Sequence, residues 1–256
     1  MITFFDIIKK YSWENIKYEI YSKTENDVKK ALSKEKCNIE DFKALISPAA
    51  EPFLEEMAMK SHFKTQKRFG KTIQLYIPLY LSNKCINSCI YCGFNKNLKY
   101  NRITLTYNEI LNEILAIKKM GFKHLLLVTG EHPECGFEYI KNVIKIVNGY
   151  FPLISIEVAP LETWQYRELI DEGLHTVYIY QETYNQDKYK QYHPSGKKAN
   201  YRYRLETPDR ICSANIYRIG LGCLLGLEDW RVDTFFTALH IDYLKRKYWK
   251  TRYSIS

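Results

Sequence analysis

Three of the seven cysteines fall within eight residues, in the string SNKCINSCIYCGF, with the spacing C-x3-C-x2-C at Cys85, Cys89 and Cys92. Thiolates suit zinc or iron–sulfur clusters. A structural zinc site takes four ligands, usually as two pairs, and no second Cys/His pair lies close to this triplet in the sequence. Three thiolates on one loop can instead hold three corners of an iron–sulfur cube and leave the fourth iron open to an outside ligand. Electron-transfer clusters normally take four protein thiolates, so an open iron points towards catalysis. Cys37, Cys135, Cys212 and Cys223 stand alone, and each is expected to behave as a small buried hydrophobe.

The elements that must position the triplet can be read around it. It follows IQLYIPLYL (73–81), a continuous apolar run of the kind expected for a strand covered on both faces. Comparable runs are HLLLVTG (124–130), LISIEVAP (153–160), TVYIYQET (176–183) and YRIGLGCLLG (217–226). Helical patterns at 107–121 and 161–173 lie between them, each closing on a glycine. Strand alternating with helix predicts parallel βα units, in an open wound sheet or a TIM-type barrel. In a barrel the loops at the C-terminal strand ends carry the active site, and the cysteine loop is one of these.

Strands start about every 36 residues, so residues 73–256 hold about five units, and RYSIS (252–256) opens a sixth. A complete eight-unit barrel takes about 250 residues. The expected fold class is α/β, an incomplete TIM-type (βα) barrel of five to six parallel strands. Residues 1–70 carry no strand pattern and predict an N-terminal helical extension. Within it a helix should start at Ser47-Pro48 and stop at Gly70. Residues 71–256 would form the barrel core, with its C-terminal strands missing.

A chain of 256 residues that is 46% hydrophobic can bury a sizeable core. The net charge of +9 is spread along the whole chain. The densest basic stretch, 188–210, reads as a solvated connecting segment, so a nucleic-acid partner is not expected. No run approaches the roughly 18 apolar residues of a membrane span. The N-terminus lacks the order of a signal peptide. A bacterial-type cytoplasmic location is expected, where thiols stay reduced.

The cysteine spacing, with Tyr91 inside it and Gly93-Phe94 behind, resembles the signature of the radical S-adenosylmethionine (SAM) enzymes. The resemblance implies a 4Fe–4S cluster on the three cysteines and SAM chelating the open iron, to be cleaved reductively to a 5′-deoxyadenosyl radical. It also implies roles at the other strand ends. Thr129-Gly130-Glu131 resembles the family's Gly-Gly-Glu element for the methionine amino group, the alternative being a strand-end turn with a surface glutamate. Glu182, in QET, would contact the ribose or methionine part. Arg210, after ETPD, matches an arginine that pairs with the methionine carboxylate, unless it is simply an exposed helix arginine. Gly222, in GLGCLLG, matches a glycine element beside adenine, the alternative being close helix–strand packing. Glu157, in IEVAPL, points to the same end of the barrel as a candidate cofactor or substrate contact.

The longer strings PLYLSNKCINSCIYCGF, MGFKHLLLVTGEHPE, VYIYQETY, RLETPDR, IGLGCLLGL with DWRVD, and YWKTRYSIS resemble the 2-iminoacetate synthase family, tyrosine lyases of thiamine thiazole biosynthesis. That resemblance implies L-tyrosine as substrate and cleavage of its Cα–Cβ bond to 2-iminoacetate (dehydroglycine) and p-cresol. It implies thiazole synthase as protein partner and a flavodoxin- or ferredoxin-type electron donor. Relatives continue with further strands and an arginine-rich segment for the substrate carboxylate, so a C-terminally truncated chain is expected. Two other readings stay open. One is the related tyrosine lyase of FeFe-hydrogenase maturation, which shares the cluster loop, TGE and QETY. The other is a non-catalytic Fe–S or zinc-binding relic, which needs only the cysteines.

Overall fold

A computed structural model describes residues 2–255. Six strands form one sheet in sequence order: β1 (Ile77–Ser82), β2 (His124–Thr129), β3 (Leu153–Glu157), β4 (Leu174–Tyr178), β5 (Arg218–Leu221) and β6 (Arg252–Ile255). All five pairings are parallel, which makes an open arc of a TIM-type barrel with β1 and β6 at its edges. The expected sixth strand is present, with Ser256 outside the described residues.

Ladder partners share a face of a sheet, and this divides the arc into two chemistries. Leu125, Ile154, Leu127, Ile156, Val177 and Ile219 are register partners and face the outer helices. Those helices are α6 (Tyr107–Lys119), α7 (Phe137–Asn148) and α8 (Thr163–Asp171). Their buried positions, such as Ile110, Ile114 and Ile117, recur at the three-to-four residue spacing of one helix face. The inner row is polar beyond Leu126 by contrast: Leu126 pairs with Ser155, Ser155 with Thr176, Thr176 with Arg218, and Arg218 with Arg252.

Between β4 and β5 the chain makes α9 (Gln186–Tyr192), α10 (Tyr201–Leu205) and α11 (Thr207–Ser213). The expectation of a solvated connecting segment at 188–210 is therefore wrong. Tyr189, Tyr201, Arg204 and Leu205 are buried there, because tyrosine rings and one arginine of the segment face inward. The first strand also starts later than expected: Ile73 and Leu75 are exposed, and the ladder begins only where Ile77 meets Leu125.

The N-terminal region is helical as expected, with α1 (Phe4–Ile8), α2 (Trp13–Tyr21), α3 (Glu25–Ser33), α4 (Ile39–Leu45) and α5 (Leu54–Phe69). Thr24 and Asn38 each head a capping box. Ser47 does not cap; its hydroxyl donates back to Ala44 O. Residues Pro48–Phe53 form a 3-10 turn around Pro52, and the α-helix proper starts after it and stops at Gly70, φ 65°. Helices α1, α2 and α4 pack on α12 (Trp230–Lys247), the helix between β5 and β6. There Phe4, Ile16 and Ile20 share a core with Val232, Phe235 and Phe236. Cys37 is exposed, against the expectation of burial, while Cys135 and Cys212 are buried and Cys223 partly so.

Phe4 is fully buried, its ring stacked on His240 at 3.8 Å. Phe4→Ala should lower unfolding stability by about 3–5 kcal/mol in a urea titration. A loss below about 1 kcal/mol would mean that α1 is not part of the packed wall.

Candidate functional site

The loop from β1 to α6 has almost no regular structure, yet it carries all three clustered cysteines. Hydrogen bonds from outside, and from one arginine of its own, therefore have to hold it. Gly130 N–H donates to Ser82 O (3.1 Å) and Ile86 N–H to Glu131 O (2.9 Å), tying its start to the end of β2. Arg102 gathers four carbonyls, donating to Asn83 O, Phe94 O, Asn95 O and Leu98 O at 2.5–3.2 Å. On the far side the loop is fastened to the end of α9 and the segment after it. Ile90 N–H donates to Tyr192 O (3.1 Å) and Ser88 N–H to Ser195 O (3.2 Å), and the Ser88 and Ser195 hydroxyls are 2.8 Å apart.

Within this frame Cys89 is buried and Cys85 and Cys92 are half-buried. Two backbone amides point at sulfur, Asn87 N–H at Cys85 Sγ (3.5 Å) and Phe94 N–H at Cys92 Sγ (3.3 Å). Burial pushes the Cys89 thiol up, and the ammonium of Lys198 pulls it the other way. The Tyr91 hydroxyl is 2.7 Å from His193 Nε2, and His193 Nδ1 is 2.8 Å from Tyr189 O. A carbonyl can only accept, so Nδ1 carries the proton and Tyr91 donates to Nε2. Burial lowers His193 to about 4, which keeps that acceptor neutral.

Each predicted strand-end residue has a definite place. Thr129 is buried at the end of β2, paired with Ser82. Gly130 is a spacer: a Cβ there would lie 2.2 Å from Lys84 O and 3.1 Å from Cys85 Cβ. Glu131 accepts from Asn87 Nδ2 at 2.8 Å, so it faces the cysteine loop and is not a free surface carboxylate. Glu157, opposite Val128 on the inner face, has its carboxyl pushed up, first by burial and then by the charge of Glu182. Glu182 is buried and pairs with Lys198 at 2.7 Å.

Glu182 also has φ 71°, a left-handed conformation that is uncommon outside glycine. Its neighbours over-determine it. Leu224 N–H donates to Glu182 O (2.8 Å) and Gln181 N–H to Gly222 O (3.2 Å), continuing the β4–β5 ladder beyond the strands. Gly222 thus sits at the expected end of the barrel. From α12, Asp233 Oδ1 accepts from Tyr184 N–H (2.7 Å) and Thr183 Oγ1 (3.1 Å).

Arg210 is not brought to this group. Its Nε and Nη2 donate to Leu161 O, Tyr203 O and Thr207 Oγ1 at 2.8–3.1 Å, so it braces the turn between α10 and α11. The arginine whose charge reaches Tyr91, Glu157 and His193 is Arg204, buried, with Nε donating to Tyr180 O at 2.9 Å. Sequence reading missed Arg204 and also Lys198, Asn87 and Asp233. For Arg204 and Lys198 the available signal was the basic, tyrosine-rich density of 188–210; Asn87 and Asp233 lie inside the strings SNKCINSCIYCGF and DWRVD.

A family model for the radical SAM superfamily matches residues 79–238. The whole chain aligns with the 2-iminoacetate synthases of Escherichia coli and Salmonella typhimurium at 44% identity, covering 68% of each of those enzymes. The chain belongs to the radical SAM superfamily, within the 2-iminoacetate synthase family. It spans about two thirds of the length of those curated relatives. Among solved structures, HydG, a maturase of the FeFe-hydrogenase, superposes with TM-score 0.87 at 30% identity, over 94% of this chain and 56% of that one. Methylornithine synthase (PylB) shares the fold, with TM-score 0.70 at 20% identity over 90% of this chain and 67% of that one.

The family implies a 4Fe–4S cluster and SAM, and the donor set fits them. Among the described residues no three His, Cys, Asp or Glu side chains converge tightly enough to share one metal ion. Thiolates on a single zinc would sit roughly 3.8 Å apart, given Zn–S bonds of about 2.3 Å. Thiolates on three different irons of a cube spread wider, and here Cys85 and Cys92 each take a backbone N–H at sulfur, as cluster thiolates do.

Two outcomes are expected. Gly130→Ala drives a methyl into Lys84 O, displaces Cys85 and should cost about 1–3 kcal/mol, with less iron bound per chain after reconstitution. Gly93→Ala, which meets nothing within 4 Å, is the matched control and should bind iron like the parent. Second, burial raises the Asp233 carboxyl from 3.8 to about 7. The folded chain then holds this proton more tightly than the unfolded chain, so the stability linked to it is greatest below about pH 4, falls as pH rises to about 7, and is level beyond. Melting temperatures taken from pH 5 to 8 should fall more steeply for the parent than for Asp233→Asn; equal slopes would refute the assignment.

Proposed function

We propose that this chain is a radical SAM carbon–carbon lyase that cleaves the Cα–Cβ bond of L-tyrosine to 2-iminoacetate and p-cresol, for the thiazole of thiamine. The observation that carries the reading is 44% identity along the whole chain to 2-iminoacetate synthases, with the cysteine loop, Glu131, Glu157 and Glu182 at one end of the barrel. In this reading Cys85, Cys89 and Cys92 hold three irons of a 4Fe–4S cluster. Cluster and SAM together would supply a 5′-deoxyadenosyl radical beside the substrate.

The chain's own residues do the binding and orienting. Glu131, held through one oxygen by Asn87, turns its carboxylate to the amino group of SAM together with Thr129 and the Gly130 carbonyl. Glu182 takes the ribose or methionine part, with Lys198 as its counter-charge. Arg204 supplies the cation for the methionine carboxylate, in preference to Arg210, which positions the neighbouring turn. Gly222 lines the adenine side, and Glu157 faces the space where substrate would lie. Buried donors and acceptors around Tyr91 and His193 exclude water from the Cys89 side.

Residues 1–70 serve as a helical extension and 71–256 as the radical SAM core. Thiazole synthase as acceptor of 2-iminoacetate, a flavodoxin- or ferredoxin-type donor and a cytoplasmic location complete the proposal. It is compatible with the finding that no helix of the described residues is long and apolar enough to cross a membrane. The likeness to HydG supports a second reading, hydrogenase maturation, at lower identity (30% against 44%).

The test is anaerobic reconstitution, reduction with SAM and tyrosine, and analysis of products. 5′-Deoxyadenosine with p-cresol is expected. Deoxyadenosine without p-cresol would leave cofactor binding standing and reject tyrosine cleavage. Neither product, from protein with a proper cluster spectrum, rejects the enzyme and leaves an Fe–S binding protein.

A further inference from the structure

Asn87 lies between the first two cysteines of the triplet and is 3% exposed. Every polar atom of its side chain is engaged. Nδ2 donates to Glu131 Oε2 at 2.8 Å and to Cys85 Sγ at 3.6 Å, and Oδ1 accepts from Lys198 N–H at 3.0 Å. These partners fix which end of the amide is nitrogen, since a carboxylate and a sulfur need a donor and a backbone N–H needs an acceptor. Gly196 covers the group from above. Its φ is +95°, and a Cβ there would come within 2.1 Å of Asn87 Oδ1 and 2.7 Å of Asn87 Cα. One buried amide therefore touches a cysteine sulfur, a strand-end carboxylate and the backbone of the lysine that pairs with Glu182.

We propose that Asn87 is a positioning residue that couples the redox poise of the cluster to the grip on SAM, by donating at once to the Cys85 sulfur and to the Glu131 carboxylate. The inference rests on the proposed function. A hydrogen bond to a ligating sulfur draws electron density from the cluster and stabilises its reduced form. The second N–H of the same amide takes one oxygen of Glu131 and leaves Oε1 for an ammonium. Movement of the amide then alters both properties together, because its two hydrogens belong to one rigid plane. Lys198 and Gly196 keep that plane from turning.

The experiment compares the parent chain with Asn87→Ala and Asn87→Asp after anaerobic cluster reconstitution. Asn87→Asp matches the native side chain in size, so it answers the question even if the alanine variant loads no cluster. Iron and sulfide per chain, the midpoint potential from an EPR-monitored redox titration, and the SAM concentration that half-changes the EPR spectrum of the reduced cluster are measured. Expected is an unchanged iron content, a reduction equilibrium about tenfold less favourable (about 59 mV more negative for one electron), and a SAM midpoint about tenfold higher. The aspartate variant should show the larger shifts, since it sets a negative charge against both sulfur and Glu131.

Variants that load clusters with the parent's potential and SAM midpoint overturn the proposal. So does a shift in only one of the two, because coupling requires both. Loss of the cluster from both variants, with normal loading of the parent, would make Asn87 a builder of the loop alone and also overturn it. A parent chain that loads no cluster rejects the proposed function itself, and this inference with it.

Discussion

An irregular loop cannot hold three sulfurs in place by itself. A helix or strand satisfies its own backbone groups, but the chain between β1 and α6 must find partners elsewhere for its amides and carbonyls. Two sets of partners come from outside, the end of β2 at Gly130 and Glu131 and the segment 192–198 after β4, and a third is the loop's own Arg102, whose guanidinium gathers carbonyls across it. The cysteine geometry is therefore a property of the barrel's mouth more than of the motif. It also explains why Gly130 and Gly196 have no room for a side chain, since each lets one of these partners approach the loop's backbone or Asn87 directly.

The same dependence puts charge where water is scarce. Glu157, Glu182, Lys198 and Arg204 share a poorly solvated region next to Cys89; burial above all, and the charge of Glu182 in lesser measure, raise the Glu157 carboxyl and the Cys89 thiol, while the Lys198 ammonium opposes both shifts. Buried ionic groups contribute little net stability, because desolvation offsets much of their attraction. What they contribute here is placement. Lys198 contacts Glu182 through its ammonium and Asn87 through its backbone N–H, so the β4 end and the cysteine loop cannot move independently.

Sequence reading recovered what depends on local pattern. The cysteine spacing, the six parallel strands and the outer helices follow from residue type and period, and each is found close to its expected place. It failed where the decision lay in tertiary contact. Residues 73–76 are as apolar as the strand they precede, but no neighbouring strand runs far enough to pair with them. Segment 188–210 has the charge of a solvated linker, yet alternate tyrosines carry it inward over the site. Arg204 and Arg210 are separated by six positions and share a chemical type. Only the packing of α10 against Tyr180 makes the first the one that faces the carboxylates. Cys37 looks like the other isolated cysteines, and its exposure follows from lying in the turn between α3 and α4.

The N-terminal helices, finally, bear on the site without approaching it. Asp233 of α12 takes the Thr183 hydroxyl and the Tyr184 N–H, immediately after the left-handed Glu182. The Tyr184 hydroxyl in turn meets His240 of the same helix at 3.1 Å, and His240 stacks on Phe4 of α1. A buried carboxyl, a tyrosine, a neutral histidine and a phenylalanine thus form one contiguous wall behind the β4 end. An unusual backbone conformation persists only while its surroundings over-determine it. Glu182 is held from the front by Lys198 and from behind by this wall, so the helical layer is part of what keeps a carboxylate aimed into the mouth of the barrel.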